Sequence, residues 1–256
     1  MSMACWDPDY MNESAWVGHM HFAYWLIQEL KPRRFVELGT HLGVSFFAFC
    51  QAVKELELGT ECHAVDRWYG DAHAGFYDSR VYETVLQIRD DYYGEIAHLH
   101  KMLFSEALNN FKDNSVDLLH IDGFHSYEAV QEDFTSWLPK LTENAIVLLH
   151  DTNEYQEGFG VHRLWSEIKQ KYKWTVEFLH SHGLGVVSLS QRDEPPHPIF
   201  FKSTFPSPAY KFLESLGVKY TLDIAQKRRI AELETLIAEK DETITRQHKL
   251  LSAKTQ

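Results

Sequence analysis

The stretch Arg34-Phe35-Val36-Glu37-Leu38-Gly39-Thr40-His41-Leu42-Gly43-Val44-Ser45 decides the fold. Phe35, Val36 and Leu38 read as the end of a buried strand, and Val44–Val53 reads as the helix that follows it. Between them lie Gly39 and Gly43, with the carboxylate of Glu37 just ahead of the turn. A parallel strand that feeds a glycine turn and a helix gathers ligands at its carboxyl end, beside exposed helix N–H groups. A dinucleotide site requires G-x-G-x-x-G, so that backbone can touch a pyrophosphate. Here the pattern is E-x-G-x-x-x-G, with no third glycine. A carboxylate at that place suits a ligand that carries positive charge better than it suits a diphosphate. The alternative reading is an ordinary strand-to-helix turn.

Outward from this stretch, apolar runs and helical periods alternate. Asn12-Glu13-Ser14 can cap a helix that runs to about Leu30, where Pro32 ends it, and Met1–Tyr10 before it reads as an arm. After β-type residues 34–38 and a helix over 44–55, strands are expected at 62–66, 96–100, 116–121 and 145–150. Helices are expected at 79–93, 105–111, 127–138 and 161–172. Residues 175–179 and 185–189 close the series as two strands with no helix between them. Alternation of this kind implies right-handed βαβ units, a doubly wound, mostly parallel α/β sheet, and an antiparallel hairpin at one edge.

Bulk properties narrow the function. With 256 residues, 44% of them hydrophobic, the chain can bury one good core with an appendage. A net charge of −12 disfavours nucleic-acid partners. Cys5, Cys50 and Cys62 form neither a CxxC motif nor a disulfide framework, which fits a reducing cytoplasm. No run of eighteen apolar residues is present, and the first thirty residues lack a signal-peptide pattern.

Residues able to do chemistry gather at the expected strand ends. Asp66 ends the second strand, where a carboxylate can accept ribose hydroxyls or simply cap its loop. Trp68 and Tyr69 follow and can cover a base or serve as core aromatics. His120-Ile121-Asp122-Gly123-Phe124-His125-Ser126 ends the fourth strand, and His150-Asp151-Thr152 ends the fifth. Strands one, four and five are neighbours in such a sheet, so Asp122, His125, His150 and Asp151 should converge. Two carboxylates with imidazole nearby suit a hard divalent cation such as Mg²⁺, which would hold and acidify an acceptor hydroxyl. His125 is placed to act as general base. The bland readings are a helix cap for Asp122, shared with Ser126, and a core role for His150. Between the second strand and the next helix, Trp68–Tyr77 reads as a lid in which Asp71, His73 and Tyr77 can meet acceptor hydroxyls.

Taken together, E-L-G-T-H-L-G, D-L-L-H-I-D-G-F-H-S-Y-E-A-V and I-V-L-L-H-D-T resemble the class I S-adenosylmethionine (SAM) methyltransferases with a Rossmann-like seven-stranded sheet. Within that class the chain is similar to the small family that includes metal-dependent sugar O-methyltransferases and modules attached to bacterial glycosyltransferases. The resemblance covers about Glu13–Leu189. It implies cofactor contacts at Glu37, Gly39, Thr40, Gly43, Ser45, Asp66, Trp68, Ser105 and Asp122. It also implies Asp122 as metal ligand and His125 as base. The family's following metal ligands are an acidic pair, which here is His150-Asp151, so Asp151 matches and His150 departs. The activity implied is O-methylation of a sugar or glycan hydroxyl. A catalytically silent scaffold of the same fold is the alternative, and an NAD-dependent oxidoreductase is disfavoured by the missing glycine.

Residues 1–190 are thus expected to form the catalytic domain. Ser190–Lys219 holds five of the eight prolines and reads as a linker or strap, 191–219. Within 220–256, Ile230, Ile237, Ile244 and Leu251 recur every seven residues, with Leu233 at an intervening position. That is a coiled-coil heptad pattern and implies a homo-oligomer, the alternative being a solitary helix packed on the domain. Because the heptads run to Gln256 without a cap, a longer chain, joined to a glycosyltransferase, is expected.

Overall fold

The computed structural model describes residues 6–71, 75–201 and 208–254, with the side chains of the last helix described through residue 245. Seven strands form the main sheet: β1 (Arg34–Leu38), β2 (Glu61–Asp66), β3 (Ala97–Lys101), β4 (Val116–Ile121), β5 (Leu141–His150), β6 (Trp174–Phe178) and β7 (Leu184–Ser188). Their spatial order is β3-β2-β1-β4-β5-β7-β6. Strands β1 to β5 run parallel, and β7 lies antiparallel between β5 and β6. The order reverses at β1, so the ends of β1, β2 and β4 open a crevice there, where doubly wound sheets bind their ligands.

The pleat assigns each strand residue to one of two cores. Phe35, Cys62, Ala64, Leu118, Ile146, Leu148 and Val186 face helices α1 (Met20–Leu30) and α2 (Val44–Glu55). Val36, Leu38, Val65, Leu119, Ile121, Val147, Leu149 and Val187 face the other side, under α4 (Tyr127–Trp137) and α5 (Val161–Lys171), while α3 (Ser79–Ile88) follows β2. Both faces of the central strands are therefore apolar, as helix-covered parallel sheets require.

Several boundaries differ from the sequence reading. The expected helix at 105–111 is one α-turn, Phe104–Ala107, followed by a 3₁₀ turn. Ser14 caps a 3₁₀ turn, Ala15–His19, before α1 begins. Residues 6–10 are not a loose arm: Trp6 is 1% exposed and the Asp9 backbone N–H donates to Gln51 Oε1 at 2.8 Å. Residues 1–5 of that arm lie outside the described residues.

The proposed division at 219/220 falls inside one continuous helix, α6 (Pro208–Lys254). Its first half belongs to the domain: Tyr210, Leu213 and Tyr220 are buried in the α1/α2-side core, and Tyr220 Oη donates to Asp7 Oδ1 at 2.5 Å. A Cβ on Gly217 would lie 2.2 Å from the Gly18 carbonyl oxygen, so glycine permits this close crossing. Proline richness signalled a linker, whereas aromatic burial made part of it core. From residue 225 to 245 every side chain of α6 is exposed. No described helix is long and apolar enough to cross a membrane.

Candidate active site

At the crevice the β1–α2 turn takes shape through two left-handed glycines. Gly39 has φ +88°, and a Cβ there would lie 2.0 Å from the Asp122 carbonyl oxygen, so β4 can approach only a glycine. Gly43, φ +81°, is the N-cap residue of α2, and its N–H donates to Thr40 O at 2.7 Å. Beside the turn lies a cavity of about 400 Å³, the size of a small-molecule site. Of the residues singled out in the sequence, Gly39, Thr40, Ser45, Asp66, Tyr77, Ser105, Asp122 and His125 line it. Glu37, Gly43, Trp68, His150 and Asp151 do not line it.

Asp66 clamps the turn. Its Oδ2 accepts from the N–H groups of Thr40 (2.8 Å) and His41 (2.9 Å), and its Oδ1 from Trp68 N–H (2.6 Å). A carboxylate offers about four acceptor positions, so about one remains for a ligand, not the two that a pair of ribose hydroxyls would need. Trp68 does not cover the cavity. It is 3% exposed, its Nε1–H donates to the His41 carbonyl at 2.9 Å, and its ring packs on Tyr82. Its role is to brace the loop. Tyr77 stacks on His41 with ring centroids 4.5 Å apart, beside a short antiparallel pairing of Gly70–Asp71 with Gly75–Phe76. His73 and the Asp71 side chain lie outside the described residues.

Glu37 is fully buried and does not reach the cavity wall. Its Oε2 lies 2.9 Å from His120 Nδ1, and Trp16 Nε1 lies 3.0 Å from His120 Nε2. An indole N–H only donates, so His120 Nε2 accepts and its Nδ1–H donates to Glu37. Burial pushes the Glu37 carboxyl up from its ordinary range, and the His120 bond opposes that rise.

The four residues expected to converge do so. His125 Nε2 lies 2.8 Å from Asp151 Oδ2 and 3.9 Å from Asp122 Oδ1. His150 Nδ1 lies 3.3 Å from both Asp122 Oδ1 and Asp151 Oδ1, while its Nε2 faces the Ser181 carbonyl at 3.1 Å. Burial works against charge throughout this group, yet the mutual contacts dominate. They hold Asp122 well below the usual carboxylate range and Asp151 at about 2. They raise His150 well above an ordinary imidazole and lift His125 to about 9. Two carboxylates and two imidazolium rings thus form a charge-balanced cluster. The His125 ring stacks on Phe159 at 4.8 Å and 8°.

One donor atom each from Asp122, His125 and Asp151 lies within 4.8 Å of the others, a group able to hold a metal ion. His150, expected among those ligands, is instead turned to the two carboxylates, its second nitrogen already engaged by Ser181. The imidazole in this donor set suits a transition metal better than Mg²⁺.

Residues 36–152 match the protein family described as a methyltransferase domain. Over that stretch, which is less than half of its length, the chain is similar to a methyltransferase domain, and its seven-stranded, mostly parallel sheet has the fold of the class I methyltransferases. An uncharacterised protein of Sinorhizobium fredii, y4gI, is 39% identical over 249 residues. That alignment takes in 94% of this chain and 27% of the relative, so the chain spans about a quarter of the length of the curated relative it matches. Among solved structures, the O-methyltransferase TomG of Streptomyces achromogenes, involved in tomaymycin synthesis and crystallised with SAM, superposes with a TM-score of 0.51 at 14% identity. It covers 72% of this chain and 83% of TomG. An O-methyltransferase of Bacillus cereus in complex with S-adenosylhomocysteine (SAH) gives 0.50 at 14% identity, covering 71% and 83%. These likenesses bear on the fold of the domain.

Sequence reasoning passed over three residues of this domain. His120 and Trp16 stand 104 positions apart, and nothing local in either stretch announces their bond. Asp133, on α4, lines the cavity beside Phe104, and its Oδ2 would lie 3.4 Å from a Cβ on Gly123. Burial, reinforced by the neighbouring Glu132 carboxylate, pushes its carboxyl up to about 7. In the sequence it looks like any acid on an exposed helix face.

Proposed function

We propose that this domain transfers a methyl group from SAM to a hydroxyl of a sugar or glycan, in polysaccharide or glycoconjugate assembly. The observation that carries the reading is the cavity itself. It is lined by the glycine turn that Asp66 clamps and by Asp122 and His125, whose ring nitrogen meets Asp151, at the switch point of the sheet. The donor's sulfonium and ammonium carry positive charge, which suits a cavity lined by Asp66, Asp122 and Glu132. An acceptor hydroxyl set against the His125 ring would pass its proton to Nδ1 once Nδ1 has released its own to solvent, while Nε2–H keeps its bond to Asp151. Asp151, 2.8 Å away, stabilises the imidazolium that results. The protein's share is chiefly to align oxygen, methyl and sulfur, and then to remove one proton.

The sugar acceptor is favoured by the family resemblance of D-G-F-H-S-Y-E-A-V and by Tyr77 and Phe124 at the cavity, aromatic surfaces on which sugar rings pack. The buried free thiols Cys50 and Cys62 support a reducing, cytoplasmic setting. A second reading rests on the convergence of Asp122, His125 and Asp151 on one point. A divalent cation held there would polarise the acceptor oxygen, and His125 would then be a ligand and not a base.

Incubation with SAM and a panel of nucleotide sugars and oligosaccharides, followed by mass spectrometry, tests the proposal. One sugar should gain a single methyl, and His125→Ala should abolish that gain while SAH still binds. Transfer to no sugar, with transfer to phenols or carboxylates instead, overturns the acceptor class. Loss of activity in a chelator, restored by metal, selects the second reading over the first.

A further inference from the structure

Beyond residue 225, α6 leaves the domain with an apolar stripe that nothing among the described residues covers. Ile230 is 55% exposed, Leu233 41%, Ile237 60% and Ile244 51%. In proteins most helical stability comes from packing an amphipathic face against a partner. We propose that this stripe pairs with the same stripe of a second copy of the chain, in a parallel, in-register coiled coil that holds two methyltransferase domains at one end.

The choice of partner and direction follows from residue positions. With Ile230, Ile237 and Ile244 at the a positions and Leu233 at d, identical layers meet only in a parallel pair in register, and β-branched a residues with Leu at d favour two strands. In that register Arg229 falls at g and Glu234 at the following e, the positions that face each other across a parallel interface. Two symmetric Arg229–Glu234 ion pairs form there, one from each copy's arginine. Lys240, the charged d residue, packs next to Asp241 at e of the second copy. Antiparallel pairing sets e against e, bringing the acidic residues Glu234 and Asp241 to the same seam. Among the described residues of one chain, Arg229 meets Glu232 on its own helix, at 3.2 Å. Charge and shape therefore agree on one arrangement.

The intact chain tests this. Light scattering during size exclusion should give twice the chain mass of 29.9 kDa. Ile237→Asp, on a side chain that contacts no part of the domain core, should return the single-chain mass with unchanged thermal unfolding of the domain and unchanged SAH affinity. Arg229→Glu and Glu234→Arg should each weaken association, and the double exchange should restore it. In a Cys5→Ser background, Leu233→Cys should yield an interchain disulfide under mild oxidation. A wild-type chain of single mass at tens of micromolar overturns the proposal. A dimer in which Leu233→Cys fails to cross-link, or which Ile237→Asp leaves intact, overturns the parallel register or the stripe as its interface. None of these outcomes depends on whether the domain methylates a sugar.

Discussion

Replacing Asp133 by Asn isolates the electrostatic cost of placing an acid beside the cavity. The carboxyl is raised from 3.8 to about 7 by burial and by Glu132, so the native protein holds this proton more tightly than the unfolded chain does. Below about pH 4 both states are protonated and the site is neutral to stability. As pH rises from there, the unfolded chain ionises while the native one does not, and stability falls until about pH 7, beyond which the deficit is constant. At about 1.4 kcal/mol per pKa unit, the deficit is about 1.5 kcal/mol at pH 5 and about 4 kcal/mol at pH 8. Asp133→Asn removes the charge and keeps the shape. Thermal unfolding should therefore show a gain for the variant that grows by several degrees between pH 5 and pH 8, at about 2–4 °C per kcal/mol for a chain of this size. An equal difference at both pH values would refute the assignment of a raised carboxyl.

Three further outcomes follow from the same geometry. Gly39→Ala should lose ligand binding outright, because a Cβ 2.0 Å from the Asp122 carbonyl forces β1 and β4 apart; calorimetry with SAH reads this. Trp16→Phe should cost about 1–3 kcal/mol in denaturant unfolding, since it strips the donor from a buried imidazole nitrogen, and a cost near zero would mean the Trp16–His120 bond is absent. The pH profile of kcat/KM should rise until about pH 9, because burial is outweighed by Asp122 and Asp151, which keep His125 protonated below that point. A plateau already reached by pH 7 would remove His125 as the proton acceptor.

How much of this was legible in the chain follows from range. The β1 turn, the D-G-F-H run and the alternation of apolar strands with helices are local patterns, and they land where their residues placed them except for the 105–111 helix, which is one α-turn and a 3₁₀ turn. The parallel pairing of β4 with β5 brings Asp122 and Asp151 together from positions 29 apart, and that too could be inferred from the fold class. Three things could not. Glu37 looked like a cavity carboxylate because its partner His120 comes from another strand. Trp68 looked like a cofactor cover because only the His41 carbonyl shows that its indole is spent on the loop. The proline-rich segment before residue 220 concealed the start of α6, whose aromatic residues Tyr210 and Tyr220 are buried against helices far earlier in the chain.

The central claim is that one cavity holds the methyl donor over the Gly39 turn with its reactive end toward Asp122 and His125. A crystal structure with SAH tests it most directly. The adenosine should lie along the Asp66–Ser105 side, with the sulfur opening toward His125. Density showing SAH elsewhere on the domain, or seated with its sulfur turned away from Asp122 and His125, would contradict it.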